Sequence, residues 1–125
     1  MVKNILLSGA NGRMGRVLQK LIGQHPDLEV AAGLDRHKDL NGAFPIYDSA
    51  ADIKESIDVV IDFSHYSNVP ELLNYCVDQQ LPIVVATTGL TEETQMMLPV
   101  AANVIPVFYS ANMSLGINVL IKALQ

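Results

Sequence analysis

Three glycines, Gly9, Gly12 and Gly15, have the spacing of a turn that can bind phosphate. They follow a short apolar segment, Lys3 to Leu7, which predicts a buried strand, and residues 17–22 behind them have the apolar spacing of a helix. In such a unit glycine permits a tight turn and lets the backbone approach a pyrophosphate, which then rests on N–H groups of the helix N-terminus. The segment therefore predicts a binding site for a phosphate-bearing cofactor.

A carboxylate, Asp35, lies twenty positions after the last of these glycines, at the end of a second apolar strand, Leu28 to Leu34. An acid in this place can accept hydrogen bonds from the hydroxyls of an adenosine ribose. Three basic residues near the turn or the second strand supply positive charge for phosphates, namely Arg13, Arg16 and Arg36. This order of features favours a dinucleotide site over the alternative that the glycines serve only as turn and helix-end residues.

The length and composition are those of a single globular domain, residues 1–125. The chain is 50% hydrophobic and 17% charged, so disorder is not expected. Met1-Val2-Lys3 leads directly into the first strand and leaves no room for a signal peptide, which predicts a cytoplasmic location. The net charge of −5 argues against nucleic-acid and anionic-membrane partners, and the apolar runs are too short to cross a bilayer.

The rest of the chain alternates between apolar strands and helical segments. Further strands are predicted at Val59 to Phe63, Pro82 to Ala86 and Asn103 to Phe108. Further helices are predicted at Ser49 to Ser56, from an Asn68 cap to about Gln80, from Thr91 until Pro99, and from Ser114 onward, with residues 37–48 irregular. Continuous apolar strands separated by helices predict an α/β fold, a Rossmann-like doubly wound parallel sheet.

Ligands of such sheets bind beyond the carboxyl ends of the strands, at the point where the strand order reverses. That rule selects the segments that follow each predicted strand, which are Ser8 to Gly15, Asp35-Arg36, Phe63 to His65, Ala86 to Gly89 and Ser110 to Met113. Asp62 interrupts an apolar strand, and a structural hydrogen bond explains it at least as well as a functional role. Cys76 lies at helical spacing among apolar residues and is assigned to the core.

Four segments together resemble the N-terminal domain of the dihydrodipicolinate reductase family, also called 4-hydroxy-tetrahydrodipicolinate reductase. They are the glycine turn GANGRMG, the pair Asp35-Arg36, the segment VVATTGL from Val84 to Leu90, and SANMSLGIN from Ser110 to Asn118. The likeness spans essentially the whole chain in order.

The resemblance implies a site for NADH, NADPH or both. The glycine turn with Arg13 would hold the phosphates, Asp35 the ribose hydroxyls of NADH, and Arg36 the 2′-phosphate of NADPH or the adenine ring. The Ala-Thr-Thr and Ser-Ala-Asn-Met segments would flank the nicotinamide. The predicted cofactor-binding residues are Gly9, Ala10, Asn11, Gly12, Arg13, Met14, Asp35, Arg36, Ser64, Ala86, Thr87, Thr88, Ser110, Ala111, Asn112 and Met113.

The family's reaction transfers a hydride from reduced nicotinamide to an unsaturated cyclic dicarboxylate in diaminopimelate and lysine biosynthesis. It uses a histidine and a lysine of a second domain, and this chain has no paired-histidine motif with a nearby lysine. The chain is therefore interpreted as the cofactor domain of a two-domain reductase, nearly inactive alone, with no catalytic residue or metal ligand of its own. The family's homotetramer forms through the second domain, which leaves the oligomeric state of this chain open.

Two other classes remain possible at this level. A non-catalytic NAD(P)-binding regulatory module would share the glycine turn and Asp35 without needing the later segments. The cofactor domain of an aspartate-semialdehyde or homoserine type dehydrogenase would have related architecture but other chemistry, such as a nucleophilic cysteine in an exposed loop. Cys76 does not fit that role, because its spacing places it in a helix core.

Overall fold

Six parallel strands form the sheet at the centre of the molecule, for which a computed structural model describes residues 2–36 and 44–109. The strands are β1 (Lys3–Ser8), β2 (Leu28–Leu34), β3 (Ile46–Tyr47), β4 (Val59–Asp62), β5 (Ile83–Val85) and β6 (Val107–Tyr109). The helices are α1 (Arg13–Gly23), α2 (Val69–Gln79) and α3 (Glu92–Ala102), with 3₁₀ turns at Ala50–Asp52 and Tyr66–Asn68.

The strand order is β3-β2-β1-β4-β5-β6, so the chain moves outward from β1 in one direction and then returns to continue on its other side. This is the Rossmann-like doubly wound topology, as predicted, and its switch point lies between β1 and β4. No helix in residues 2–36 and 44–109 is long and apolar enough to span a membrane.

Both faces of the sheet are buried, which explains why its strands are continuous apolar runs. Ile5 and Leu7 of β1 point to the face covered by α1, where they pack with Leu18. Leu6 points to the opposite face and belongs to the core formed with α2 and α3. Because successive side chains of the strand point to opposite faces, β1 contributes to two separate hydrophobic cores.

The structure corrects the prediction in the edge regions. Residues 37–48 were predicted irregular, but Ile46–Tyr47 form β3 and pair in parallel with Gly33 and Leu34. Two residues are too few to show a period. The last strand begins at Val107 rather than Asn103, because residues 103–105 form the turn that closes α3, with the Ile105 N–H donating to the Ala101 carbonyl at 2.9 Å.

The prediction of where α3 ends was also wrong. Pro99 does not end α3, which continues to Ala102; Pro99 lies on the exposed face, and burial of Leu98 and Ala101 holds the last turn on the core. Asn68 is the N-cap residue of α2, as predicted, but its side chain makes no capping hydrogen bond, because it belongs to the preceding 3₁₀ turn and has αR backbone angles. The helix predicted at Ser49 to Ser56 is only the 3₁₀ turn at Ala50–Asp52, and the helix predicted from Ser114 lies outside the described residues.

Cys76 is fully buried in α2, as predicted. Burial, with a smaller contribution from the nearby Asp62 carboxylate, raises the pKa of its thiol from 9.0 to about 12. The thiol therefore stays protonated and enclosed at neutral pH, and Cys76 is not available as a nucleophile.

The raised pKa of Cys76 predicts a pH-dependent stability. Above pH 9.0 the unfolded thiol ionises while the folded thiol keeps its proton until about pH 12, so the free energy of unfolding should decrease as pH rises through this range. Urea denaturation of the parent chain and of a Cys76→Ala variant at several pH values measures this decrease. The substitution should lower stability at every pH but remove the thiol's share of the pH dependence, and equal slopes for parent and variant would contradict the prediction.

Candidate functional site

The glycine turn is fixed between the ends of β2 and β4. On the β2 side, the N–H groups of Gly9 and Ala10 both donate to the Leu34 carbonyl, at 2.8 and 3.2 Å. On the β4 side, Gly9 has φ +86°, and a Cβ there would lie 2.8 Å from the Phe63 carbonyl oxygen. Only glycine fits this position, because the turn needs both a left-handed backbone and contact with a neighbouring backbone.

Gly15 brings α1 into direct contact with the turn. A Cβ at Gly15 would overlap the carbonyl oxygens of Gly9 and Ala10. The Gln19 side chain adds a second tie between helix and turn, because its Nε2 donates to the Ala10 carbonyl at 2.9 Å. The start of α1 is therefore held rigidly above the carboxyl end of β1.

The N-terminus of α1 has no side-chain cap and no acidic residue in its first turn. α3 differs, because Thr91 accepts a hydrogen bond from the Thr94 N–H at 3.2 Å, and Glu92 and Glu93 follow. The first N–H groups of a helix have no partner within the helix and carry its positive partial charge. The N-terminus of α1 therefore has the chemistry of an anion site.

The N–H groups of the turn itself are already used by the protein. Those of Gly9 and Ala10 donate to Leu34, that of Asn11 donates to Asp35, and that of Gly12 donates to the Gly9 carbonyl at 3.1 Å. The first bond of α1 runs from the Arg16 N–H to the Gly12 carbonyl at 3.1 Å, so the N–H groups of Arg13, Met14 and Gly15 before it have no partner inside the helix. Of the predicted stretch Gly9 to Met14, the last two residues thus have the backbone donors suited to phosphate.

Asp35 follows β2 and is bound to the glycine turn. Its Oδ2 accepts a hydrogen bond from the Asn11 N–H at 2.9 Å, and its own N–H donates to the Tyr47 carbonyl at 3.0 Å. The carboxylate is therefore held at a fixed place beside the turn. Arg36, the next residue, is exposed.

A cleft of about 320 Å³ runs along the carboxyl ends of β1, β2 and β4. Five of the predicted cofactor-binding residues line it, namely Gly9, Gly12, Asp35, Arg36 and Ser64. Ala10 is completely buried beneath the turn, and Asn11, Arg13 and Met14 adjoin the cleft in sequence without lining it. The predicted residues Ser110, Ala111, Asn112 and Met113 lie outside the described residues.

The segment after β5 is not part of the lining of this cleft. Ala86 and Thr87 are 3% and 4% exposed, whereas Thr88 is exposed. The Thr87 hydroxyl donates to Asp62 Oδ2 at 2.8 Å, and the Ala86 N–H donates to the Asp62 carbonyl at 3.0 Å. The side chain of Thr87 is thus directed into the protein, towards the end of β4.

Sequence reasoning missed several residues that line the cleft. Asp48 and Ala50 come after β3, and recognition of that short strand would have selected them by the carboxyl-end rule. Asn68 directly precedes α2, and Glu71 and Leu72 belong to its first turn, which follows β4 closely enough to reach the cleft. No residue pattern in the sequence distinguishes these three from an ordinary helix start.

His65 also lines the cleft, but its ring is engaged in a local structure. Nδ1 lies 2.8 Å from the Ser67 hydroxyl and accepts from the Ser67 N–H at 3.3 Å, and the ring centroid lies 4.2 Å from that of Tyr66.

Within the described part of the chain, no three His, Cys, Asp or Glu side chains are grouped so that they could hold a metal ion.

Comparison with known proteins identifies a matching family. Residues 3–113 match the family model described as dihydrodipicolinate reductase, N-terminus. A 4-hydroxy-tetrahydrodipicolinate reductase of Caldanaerobacter subterraneus subsp. tengcongensis is 43% identical over 125 residues, which is all of this chain and 49% of that protein. The corresponding Campylobacter jejuni enzyme is 37% identical over 96% of this chain and 45% of its own length. The chain spans about half the length of the curated relatives it matches.

Solved structures share the fold. A dihydrodipicolinate reductase from Paenisporosarcina sp. TG-14, bound to dipicolinate, aligns with a TM-score of 0.76 and 23% identity over 90% of this chain and 48% of that one. The WlbA dehydrogenase from Chromobacterium violaceum, in complex with NADH and UDP-GlcNAcA, aligns with a TM-score of 0.75 and 15% identity over 87% of this chain and 35% of its own. At these identities the likeness shows the fold.

The contact between Gly15 and the turn predicts opposite effects for two glycines of α1. Gly15→Ala should lower the free energy of unfolding by roughly 1–3 kcal/mol, because its Cβ would overlap backbone atoms that cannot move aside easily. Gly23→Ala is the matched control: nothing lies within 4 Å of its Cβ position, so this variant should be neutral or up to about 1 kcal/mol more stable. Urea denaturation measures both, and a stable Gly15→Ala variant would contradict the described packing.

Proposed function

This chain belongs to the dihydrodipicolinate reductase family, and from that membership we propose that residues 1–125 form the cofactor domain of a 4-hydroxy-tetrahydrodipicolinate reductase that binds NADH or NADPH. The main support is the uncapped N-terminus of α1, which adjoins a cleft with the Asp35 carboxylate at its β2 side. An anion site and a ribose acceptor in this relative order are what an adenine dinucleotide requires.

The adenosine half of the cofactor is proposed to occupy the β2 side of the cleft. The N–H groups of Arg13 and Met14, with the Arg13 guanidinium, would bind the pyrophosphate. Asp35, held by Asn11, would accept hydrogen bonds from the ribose hydroxyls of NADH. Arg36 is the residue suited to the 2′-phosphate of NADPH, because a guanidinium binds phosphate oxygens in pairs.

The nicotinamide half would then extend across β1 towards β4 and β5. Ser64 lines the cleft there, and Ala86, Thr87 and Thr88 follow the next strand. We assign Ser110 to Met113 to the same end by the family resemblance. When bound, the reduced nicotinamide supplies the hydride, and these segments orient its ring and exclude water.

The proposed reaction of the complete enzyme is hydride transfer to an unsaturated cyclic dicarboxylate in diaminopimelate and lysine biosynthesis. Residues for substrate binding and protonation are assigned to the half of the relatives' length that this chain does not span. The chain itself would bind, orient and shield the cofactor, which must be positioned against a substrate held elsewhere.

Arg13 is expected to contribute to the binding of both cofactors through the shared pyrophosphate. Arg13→Ala should weaken NADH and NADPH about tenfold each, because a charge-assisted hydrogen bond to phosphate is lost. Lys20→Ala is the control, since Lys20 is a basic residue in the last turn of the same helix, away from the cleft. Calorimetric titration at fixed salt measures both. A well-folded parent chain that binds neither nucleotide would refute the proposed function.

Asp35 is expected to discriminate between the two nucleotides. Asp35→Asn should weaken NADH by about tenfold and NADPH less, because the lost carboxylate would accept from the adenosine 2′-hydroxyl, which carries a phosphate in NADPH. Asp58→Asn is a matched control, because Asp58 also accepts a backbone N–H, that of Asn4 at 2.7 Å, at the amino ends of β1 and β4, which is the end of the sheet opposite the cleft. Equal losses of affinity for NADH and NADPH would show that Asp35 does not bind the ribose hydroxyls.

The proposed role as a cofactor domain predicts that the chain binds cofactor without catalysing the reaction. With NADH and freshly generated 4-hydroxy-tetrahydrodipicolinate, the chain alone should give no nicotinamide oxidation above the rate without protein. Absorbance at the reduced-nicotinamide band follows this directly. Substrate-dependent turnover by the chain would overturn its assignment as a cofactor domain only.

A further inference from the structure

Asp62 is a completely buried carboxylate at the carboxyl end of β4, one of the central strands of the sheet. Both of its oxygens accept hydrogen bonds. Oδ1 accepts from the Ser64 N–H at 3.0 Å and from the Ser64 hydroxyl at 2.6 Å, and Oδ2 accepts from the Thr87 hydroxyl at 2.8 Å. All three donors are uncharged, so the carboxylate is stabilised here by hydrogen bonds from Ser64 and Thr87.

The two sets of donors belong to two different loops. Ser64 follows β4 and lines the cleft, while Thr87 follows β5. The Asp62 backbone strengthens the same connection, because its carbonyl accepts from the Ala86 N–H at 3.0 Å. One side chain therefore joins the loop after β4 to the loop after β5.

The loop after β4 also packs directly against the glycine turn. The Gly9 Cα lies so close to this loop that a Cβ would be 2.8 Å from the Phe63 carbonyl and 3.0 Å from the Ser64 nitrogen. A shift of residues 63 and 64 would therefore change the cleft where the turn and the loop meet. The position of this loop depends on what holds Ser64.

We propose that Asp62 is a positioning residue that ties the loops after β4 and β5 together and so fixes the nicotinamide end of the cleft. The inference rests on the proposed function, in which the adenosine half lies on the β2 side and the nicotinamide half on the β4 and β5 side. Asp62 itself is fully enclosed, so a ligand in the cleft would not touch it. It acts through Ser64 and Thr87.

The chemistry of the link explains why it has a defined geometry. A buried carboxylate that loses a donor is strongly destabilised, so the loops have little freedom to move away from it. A carboxylate has two oxygens in one plane. Here Oδ1 accepts from Ser64 in the loop after β4, and Oδ2 accepts from Thr87 in the loop after β5. The relative placement of the loops is therefore set by one rigid group.

The test compares ligands that differ only beyond the pyrophosphate. NADH probes both halves of the cleft, and ADP probes the adenosine half. Thr87→Val removes the hydroxyl donor while nearly keeping the side-chain volume, and it should raise the Kd of NADH about tenfold while changing that of ADP less than about twofold. Thr87→Ser keeps the hydroxyl and should restore NADH binding.

The control separates positioning from general loss of stability. Thr94 is also a buried threonine whose hydroxyl is hydrogen-bonded to a side chain, that of Thr91 at 3.0 Å, but it lies in α3 away from the cleft. Thr94→Val should lower the free energy of unfolding as Thr87→Val does, yet leave both Kd values unchanged. Equal weakening of NADH and ADP by Thr87→Val, or unchanged NADH binding, would overturn the positioning role.

A second measurement uses the parent chain without substitution. In an amide NMR titration, the resonances of Ser64 and Thr87 should shift with NADH and much less with ADP. Equal shifts with the two ligands would overturn the inference even if Thr87→Val failed to fold. If the parent binds neither NADH nor ADP, the proposed function fails, whereas NADH binding that leaves the Ser64 and Thr87 resonances unchanged defeats the positioning role alone.

Discussion

The close approach of the glycine turn to the ends of two neighbouring strands is the constraint on which the rest of the site depends. The Leu34 carbonyl takes two N–H groups of the turn, and the Phe63 backbone lies where any Cβ at Gly9 would be. Since the strands on both sides are buried in the sheet, the turn cannot move without disturbing the core. The first turn of α1 is thereby fixed above the switch point of the sheet, and its first N–H groups adjoin the cleft.

The same constraint determines which N–H groups of the turn and of α1 bond to the protein and which would be available to a ligand. Four consecutive N–H groups, of Gly9 to Gly12, are used inside the protein, including the one that Asp35 accepts. This use makes the turn rigid, and rigidity lowers the entropy that binding would otherwise lose. The proposed anion site is thus small, a helix terminus that begins with Arg13, and the hydrogen bonds of the turn would preorganise it without touching the ligand.

The sequence predicted the parts of this arrangement that depend on periodicity or on glycine geometry. β2 was predicted with its observed bounds, and the order of strand, turn, helix and acid located Asp35 beside the turn. β3 was missed because a two-residue edge strand has no readable period, and Pro99 misled because burial of Ala101 outweighed its helix-breaking tendency. The role of Asp62 could not be predicted, because its partner Thr87 lies 25 residues further along the chain and no local sequence pattern connects the two.

A carboxylate on a central strand is not what packing alone would select. A leucine at position 62 would continue the apolar run of Val59 to Ile61, and exchange of a buried charge for a well-packed apolar side chain is often neutral or stabilising. An apolar side chain, however, gives no direction to the neighbouring loops, because dispersion contacts do not assign one atom to one partner. Asp62 gives each loop its own oxygen, so the end of the sheet that would receive the nicotinamide has one geometry instead of several. The sheet therefore carries a buried charge where hydrogen-bond direction matters more than packing.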